Sequence, residues 1–226
     1  MKYAIKKIKL ALPIVIYMVI YLVWFFVLEQ KVTTYTIIHT SIDDKIPFCE
    51  YFVIPYFLWF GYVALTVVIA LFTDEQEYRR SVVFLVTGMT IFLLISTIWP
   101  NGHNLRPLDI TGRSFCAKLV SNLYKTDTPT NLWPSIHVYN SIGAHLCVSH
   151  CKFTKDKKVV RFGSLILCIS IIFSTMFIKQ HSFFDVCTAF LMALLMGIIV
   201  YRTEIIESLH EAIKAPERKA GHYRKA

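Results

Sequence analysis

The sequence predicts an all-α polytopic membrane protein, a six-transmembrane-helix bundle, and three observations predict it. Of the 226 residues, 55% are hydrophobic and 15% aromatic, and the mean hydropathy is +0.52. A soluble domain of this length has no need of so much apolar surface. Six apolar runs of about span length follow one another, separated by charged or turn-forming residues. Lysine and arginine also alternate in number from one connection to the next, as they do where a chain crosses a bilayer repeatedly. A span takes about 20 residues to cross a hydrocarbon core ~30 Å thick, so six spans use about half the chain. Residues 1–226 therefore read as a single membrane domain.

The first span, 10–28, follows Lys2, Lys6, Lys7 and Lys9. A basic start before an apolar run also describes a secretory leader. This run is long for one, and Glu29-Gln30-Lys31-Val32 offers no small-residue cleavage site, so a retained anchor helix is expected. The second span, 52–72, is apolar and aromatic and ends at Thr73-Asp74-Glu75. The third, 81–99, is uninterrupted by charge and stops at the breaker cluster Pro100-Asn101-Gly102. The fourth, 134–151, is the most polar, carrying His137, Asn140, Ser141, His145 and His150. Spans 162–178 and 183–201 complete the set. Only Lys179-Gln180-His181-Ser182 separates them, too little for an ordinary loop, so the fifth helix is expected to end or bend close to His181.

Orientation follows from the basic residues. The N-terminus, the 73–80 turn, the 152–161 loop and the tail from Arg202 hold 4, 2, 5 and 6 of them, 17 in all. The opposite connections hold Lys31, Lys45, Arg106, Arg113, Lys118, Lys125 and Lys179, 7 in all. The richer side is expected in the cytoplasm, with both termini inside. An integral, multi-pass protein of the plasma (cytoplasmic) membrane is the expectation. The net charge of +9 then belongs to topology, and nucleic acid is not an expected partner. The basic, amphipathic tail is expected to lie on anionic headgroups. Outside fall the 34-residue connection 100–133, the start of the fourth helix and the 179–182 corner. A connection that long is more often functional than idle. Nothing in the pattern indicates an oligomeric state.

Six cysteines (49, 116, 147, 151, 168 and 187) form no CxxC pair and no metal-finger spacing. Cys147, Cys168 and Cys187 fall in apolar runs and read as small core residues. Cys49 and Cys116 could pair if both their loops are external.

Three polar features carry chemistry. In His181-Ser182-Phe183-Phe184-Asp185 the spacing brings the carboxylate to the imidazole if the segment is helical, positions four apart lying about 5–6 Å from each other. Asp185 would then hold one ring nitrogen and leave the other free to attack, the orienter-and-base arrangement of catalytic triads. Asp185 is the one charged residue between His181 and Arg202, and a carboxylate near the membrane is costly without a partner. The plainer alternative is an Asp that caps the sixth helix. Trp133-Pro134-Ser135-Ile136-His137 opens the fourth helix, where free N–H groups suit an anion and His137 could protonate a leaving oxygen. Its alternative is a polar helix start facing headgroups. Asn104-Leu105-Arg106-Pro107 offers a guanidinium fork for phosphate, or an ordinary surface arginine.

Together, Arg-Pro after a third span, Pro-Ser-x-His opening a fourth and His-x-x-x-Asp after a fifth resemble the type 2 phosphatidic acid phosphatase superfamily, over roughly residues 84–200. That family's motifs are Lys-x6-Arg-Pro, Pro-Ser-Gly-His and Ser-Arg-x5-His-x3-Asp. The resemblance implies that His181 attacks phosphorus and becomes phosphorylated, that Asp185 orients it, and that His137 serves the leaving group. It assigns Arg106, Ser135 and Ser174 to the substrate phosphate, and it implies no metal and no other cofactor. The family's first-motif lysine falls at Trp99, its third-motif arginine at Thr175 and its second-motif glycine at Ile136. Because phosphoryl transfer relies on positioning and charge stabilisation, the lost basic clamps need replacements. Lys179 is one candidate, and Arg113 or Lys118 another.

A bulky aliphatic residue in place of that glycine also resembles the inositol phosphorylceramide synthase branch, whose members pass a phosphoryl-linked head group to an alcohol. Three readings stand at this point. The leading one is a lipid phosphate phosphatase cleaving a phosphate or pyrophosphate ester at the outer face. The others are a phosphotransferase with an alcohol acceptor and a non-catalytic lipid-binding or transport protein.

Overall fold

The computed structural model describes residues 2–31, 34–110 and 114–202. Seven helices organise them: α1 Lys2–Lys31, α2 Val53–Thr73, α3 Glu75–Ile98, α4 Phe115–Thr126, α5 Ile136–His150, α6 Lys158–Phe177 and α7 Phe183–Arg202. Five are long and apolar enough to cross a membrane: α1, α2 with its leading turn from Glu50, α3, α6 and α7. The chain is thus a helical, polytopic membrane protein.

The fourth expected span departs from the pattern. Helix α5 has 15 residues, about 22 Å at 1.5 Å per residue, which falls short of a ~30 Å hydrocarbon core. It sits at the centre of the bundle, packed against α2, α3, α6 and α7. Its polar residues Asn140 and Ser141 are buried against protein rather than lipid. A surrounded helix needs neither the length nor the apolarity of a lipid-facing one. Two small residues allow the close approach. A Cβ on Gly88 of α3 would lie 2.0 Å from the Tyr139 ring, and one on Gly143 of α5 would lie 2.6 Å from Phe84. Tyr139 in turn donates to the Phe84 carbonyl at 2.9 Å.

Helix α3 starts six residues before the expected 81. Asp74 caps it by accepting from the Glu77 amide, and Glu75 pairs with Arg79 at 2.9 Å and with Lys6 at 2.8 Å. These charged residues extend the helix beyond its apolar run to the bilayer edge.

The end of the bundle that carries His137 and His181 is roofed by the 34–52 and 99–135 connections. Strands β1 Thr36–Ile37 and β2 Asn101–Gly102 pair in parallel, and Gly102 also bridges to Thr130. Asn101 fastens the roof, its Oδ1 accepting from the Leu132 and Trp133 amides at 3.0 and 2.8 Å. Helix α4 was not anticipated within the long connection. Ser114 caps it, and Cys116 and Val120 on its buried face pack with Val53, Tyr56 and Ile178. Cys49 and Cys116 are free thiols. Arg113 and the tail beyond Arg202 lie outside the described residues.

Candidate active site

The corner between α6 and α7 places the nucleophile candidate. Lys179 takes a left-handed backbone with φ 51°. The Gln180 and His181 amides then both turn back to the Thr175 carbonyl, at 2.9 and 3.0 Å. This is how a helix end closes within four residues. His181 therefore precedes α7 instead of lying on it, and its contact with Asp185 is made by a capping box. The Ser182 hydroxyl accepts from the Asp185 amide at 3.2 Å, and Asp185 Oδ2 accepts from the Ser182 amide at 2.9 Å. The same Oδ2 lies 3.4 Å from His181 Nδ1. Capping the helix and holding the imidazole, set against each other as alternatives in the sequence, are done by one oxygen.

His181 Nε2 faces His137 Nδ1 at 3.4 Å. With Oδ2 of Asp185 accepting, Nδ1 of His181 carries the proton and Nε2 presents its lone pair. His137 is then the donor across the gap, its Nδ1–H turned to the His181 lone pair. The His137 ring is clasped by Tyr56 and Trp59, centroids 4.6 and 4.3 Å away. His181 and Asp185 are 4% and 1% exposed, so the pair is shielded from solvent.

The other sequence candidates lie elsewhere. Ser135 caps α5 by accepting from the Val138 amide at 3.4 Å, and Ser174 donates to the Ile171 carbonyl at 2.6 Å. Neither lines the small cavity, about 40 Å³, that holds both histidines. Lys179 departs from the expected clamp: its ammonium donates to the Asp43 and Ile46 carbonyls at 2.8 and 2.5 Å. The left-handed turn sends that side chain to the roof while His181 faces inward. Lys118 is exposed on α4. Trp99 donates to Thr36 at 2.8 Å, and Thr175 bonds back to the Ile172 carbonyl.

Arg106 comes near the site without lining the cavity. It donates to the Asp127 and Thr128 carbonyls at 2.7 and 3.2 Å and to Gln180 Oε1 at 2.7 Å, with Tyr124 under its plane at 4.5 Å. Its Nε is buried without a partner.

Gln180, Asn131, Asp127, Tyr56 and Phe92, which no motif marks, also line the cavity, with Ile136 beside His137. Among the described residues no lysine or arginine lines this cavity. Burial raises the Asp127 carboxyl to about 6 against the pull of Arg106. His103 supports the corner from beneath, donating from Nε2 to the Gln180 carbonyl at 3.0 Å while Nδ1 accepts from the Leu105 amide. Burial lowers His103 to about 4, so it is neutral near pH 7. A histidine one residue past a breaker cluster was the available signal, and its partner 77 residues away was not.

Against α1 the cavity shares Phe25 and Asp127 with a groove of about 520 Å³, walled also by Leu22, Val23 and Phe26. Glu29, at the end of α1, accepts from Asn131 at 3.1 Å and from the Thr128 hydroxyl, closing the roof over the histidines.

A buried line of contacts from Asp185 through His181 to His137 thus lies at one end of a membrane helix bundle. Residues 109–205, spanning α4 to α7 and including His137, His181 and Asp185, match the family model of the PAP2 superfamily. The resemblance to the type 2 phosphatidic acid phosphatase superfamily therefore holds over that stretch, and Arg106 lies outside it. Members of the family are phosphatases or related phosphotransferases. No curated protein and no solved structure gave a match to the chain.

Proposed function

We propose that the protein cleaves a lipid phosphate or pyrophosphate ester through a phosphohistidine at His181, on the extracytoplasmic face. The observation that carries this reading is the line of contacts Asp185 Oδ2, His181 and His137 Nδ1, each step 3.4 Å. Contacts of this kind are often long before substrate binds and tighten in the complex. Nε2 of His181 attacks phosphorus, and the bond to the ester oxygen breaks with its electron pair going to that oxygen. His137, protonated, delivers the proton. The neutral His137 then takes a proton from water, whose oxygen attacks the phosphohistidine; the P–Nε2 bond breaks with its electron pair returning to His181, and phosphate leaves. Asp185 offsets the positive charge that forms on the attacking imidazole.

A lipid substrate is favoured by the groove along α1, whose apolar wall adjoins the histidine cavity and suits an acyl chain. An alcohol acceptor in place of water is the second reading. It is favoured by Ile136, which lines the cavity where the family has glycine, a replacement that resembles the inositol phosphorylceramide synthase branch.

Purified protein in detergent, offered a panel of lipid phosphates with and without alcohol acceptors, tests both. Phosphate release supports the hydrolase, and a new phosphodiester supports the transferase. His181→Ala is expected to abolish either. A folded, fully active His181→Ala protein refutes the mechanism.

A further inference from the structure

We infer that Gln180 is a catalytic residue of this site, its Nε2–H donating to a non-bridging phosphoryl oxygen as His181 attacks. The inference rests on the phosphoryl-transfer reading above and assigns part of the role left open by the missing basic clamps.

The amide's orientation is set by chemistry. A guanidinium can only donate, so the Gln180 atom 2.7 Å from Arg106 is its oxygen, and Nε2 is turned the other way. That nitrogen is buried without a partner, and Gln180 is 1% exposed. Gln180 lines the cavity that holds His137 and His181, whereas Arg106 does not. A buried N–H left without an acceptor costs about 1–3 kcal/mol, so a native chain that keeps one beside a nucleophile keeps it for an occupant. The donor is also held rigidly. The Gln180 amide donates to Thr175 at 2.9 Å, its carbonyl accepts from His103 at 3.0 Å, and its side-chain oxygen is tied to Arg106.

Arg106 thereby acts as a positioning residue. Its charge reaches the phosphoryl group through the polarised amide, since a donor whose own oxygen accepts from a cation is strengthened. The arrangement gives the site a neutral donor in a dry cavity, where pre-set hydrogen bonds are strongest.

The test uses full-length protein in detergent and orthovanadate, a phosphoryl transition-state analogue that does not require the lipid to be known. Binding is followed by vanadium NMR, with melting temperature recorded for each variant. Gln180→Met keeps length and neutrality but removes the donor. Gln180→Glu keeps an acceptor for Arg106 and removes the donor. Both are expected to weaken vanadate binding about 100-fold, the scale for losing one oxyanion donor, with melting unchanged. On an active lipid phosphate, kcat should fall by a similar factor while KM stays close to that of the wild type.

Wild-type affinity in Gln180→Met overturns the donor role even if Gln180→Glu is impaired, because repulsion alone then explains the glutamate. If Gln180→Met does not fold, Gln180→Leu takes its place, wild-type affinity overturning the donor role and lost affinity supporting it. In each case His181→Ala must lose vanadate binding. Should it bind as the wild type does, or should the wild type not bind at all, the phosphoryl-transfer reading falls together with this inference.

Discussion

Asp185→Asn separates the two jobs of one carboxylate. Oδ2 accepts from the Ser182 amide at 2.9 Å and faces His181 Nδ1 at 3.4 Å. An asparagine oxygen in that place still caps α7 and still accepts from the imidazole, so the fold and the ring orientation are retained. What disappears is the negative charge opposite the imidazole as it becomes positive during attack. Two unit charges 3.4 Å apart interact by about 5 kcal/mol at an effective dielectric of ~20. Side-chain relaxation reduces that figure, so a 10²- to 10³-fold loss of kcat, roughly 3–4 kcal/mol, is expected. Melting should change by less than the ~1 kcal/mol that a lost cap costs. The assay is phosphate release, or phosphodiester formation, at saturating lipid phosphate, with thermal unfolding in the same detergent. An Asp185→Asn protein with more than a tenth of wild-type kcat refutes the electrostatic role. One that loses activity only in proportion to lost folded protein reduces Asp185 to a cap.

Ser182→Ala supplies the converse: it removes the hydroxyl that accepts from the Asp185 amide at 3.2 Å, and should cost about 1 kcal/mol in unfolding while leaving kcat within about threefold. The Asp127 carboxyl, raised by burial from 3.8 to about 6, holds in the folded chain a proton that the unfolded chain releases. Stability should therefore fall as pH rises from about 4 to about 6, and KM for an anionic substrate should rise above pH 6 as charge enters the cavity wall. Asp127→Asn should flatten both profiles, and unchanged profiles would contradict this placement of the charge. Gly88→Ala drives a methyl to 2.0 Å from the Tyr139 ring and should destabilise by about 1–3 kcal/mol, read as a lower melting temperature. Activity is expected to survive EDTA, because among the described residues no three His, Cys, Asp or Glu side chains are grouped to hold a metal ion. Inhibition by EDTA that zinc reverses would overturn that expectation.

The sequence by itself determined what depends on neighbours along the chain. Apolar runs and breaker residues marked the lipid-facing helices, because a lipid-facing helix must be apolar over most of its length. The basic residues supplied the expected orientation. The motif residues named His137, His181 and Asp185 as the candidates for chemistry, and Ser182-Phe183-Phe184-Asp185 is a capping box written in four consecutive letters. Helix α5 lies within its expected 134–151 run, and its buried polar residues Asn140 and Ser141 set it apart from the lipid-facing helices. Helix α4 had its cap at Ser114 and an apolar face, a short signal submerged in a long connection.

Tertiary structure decided which polar groups meet. His137 and His181 lie 44 residues apart in sequence and 3.4 Å apart in space, and only the packing of α5 against the α6–α7 corner brings them together. The same packing tied Arg106 to Gln180 instead of leaving it to face the cavity, and sent Lys179 to the roof carbonyls. Long flexible cations take whichever acceptors are desolvated beside them, and their identity is a property of the assembled bundle. Residue type states what a side chain can do, and the buried partner decides what it does.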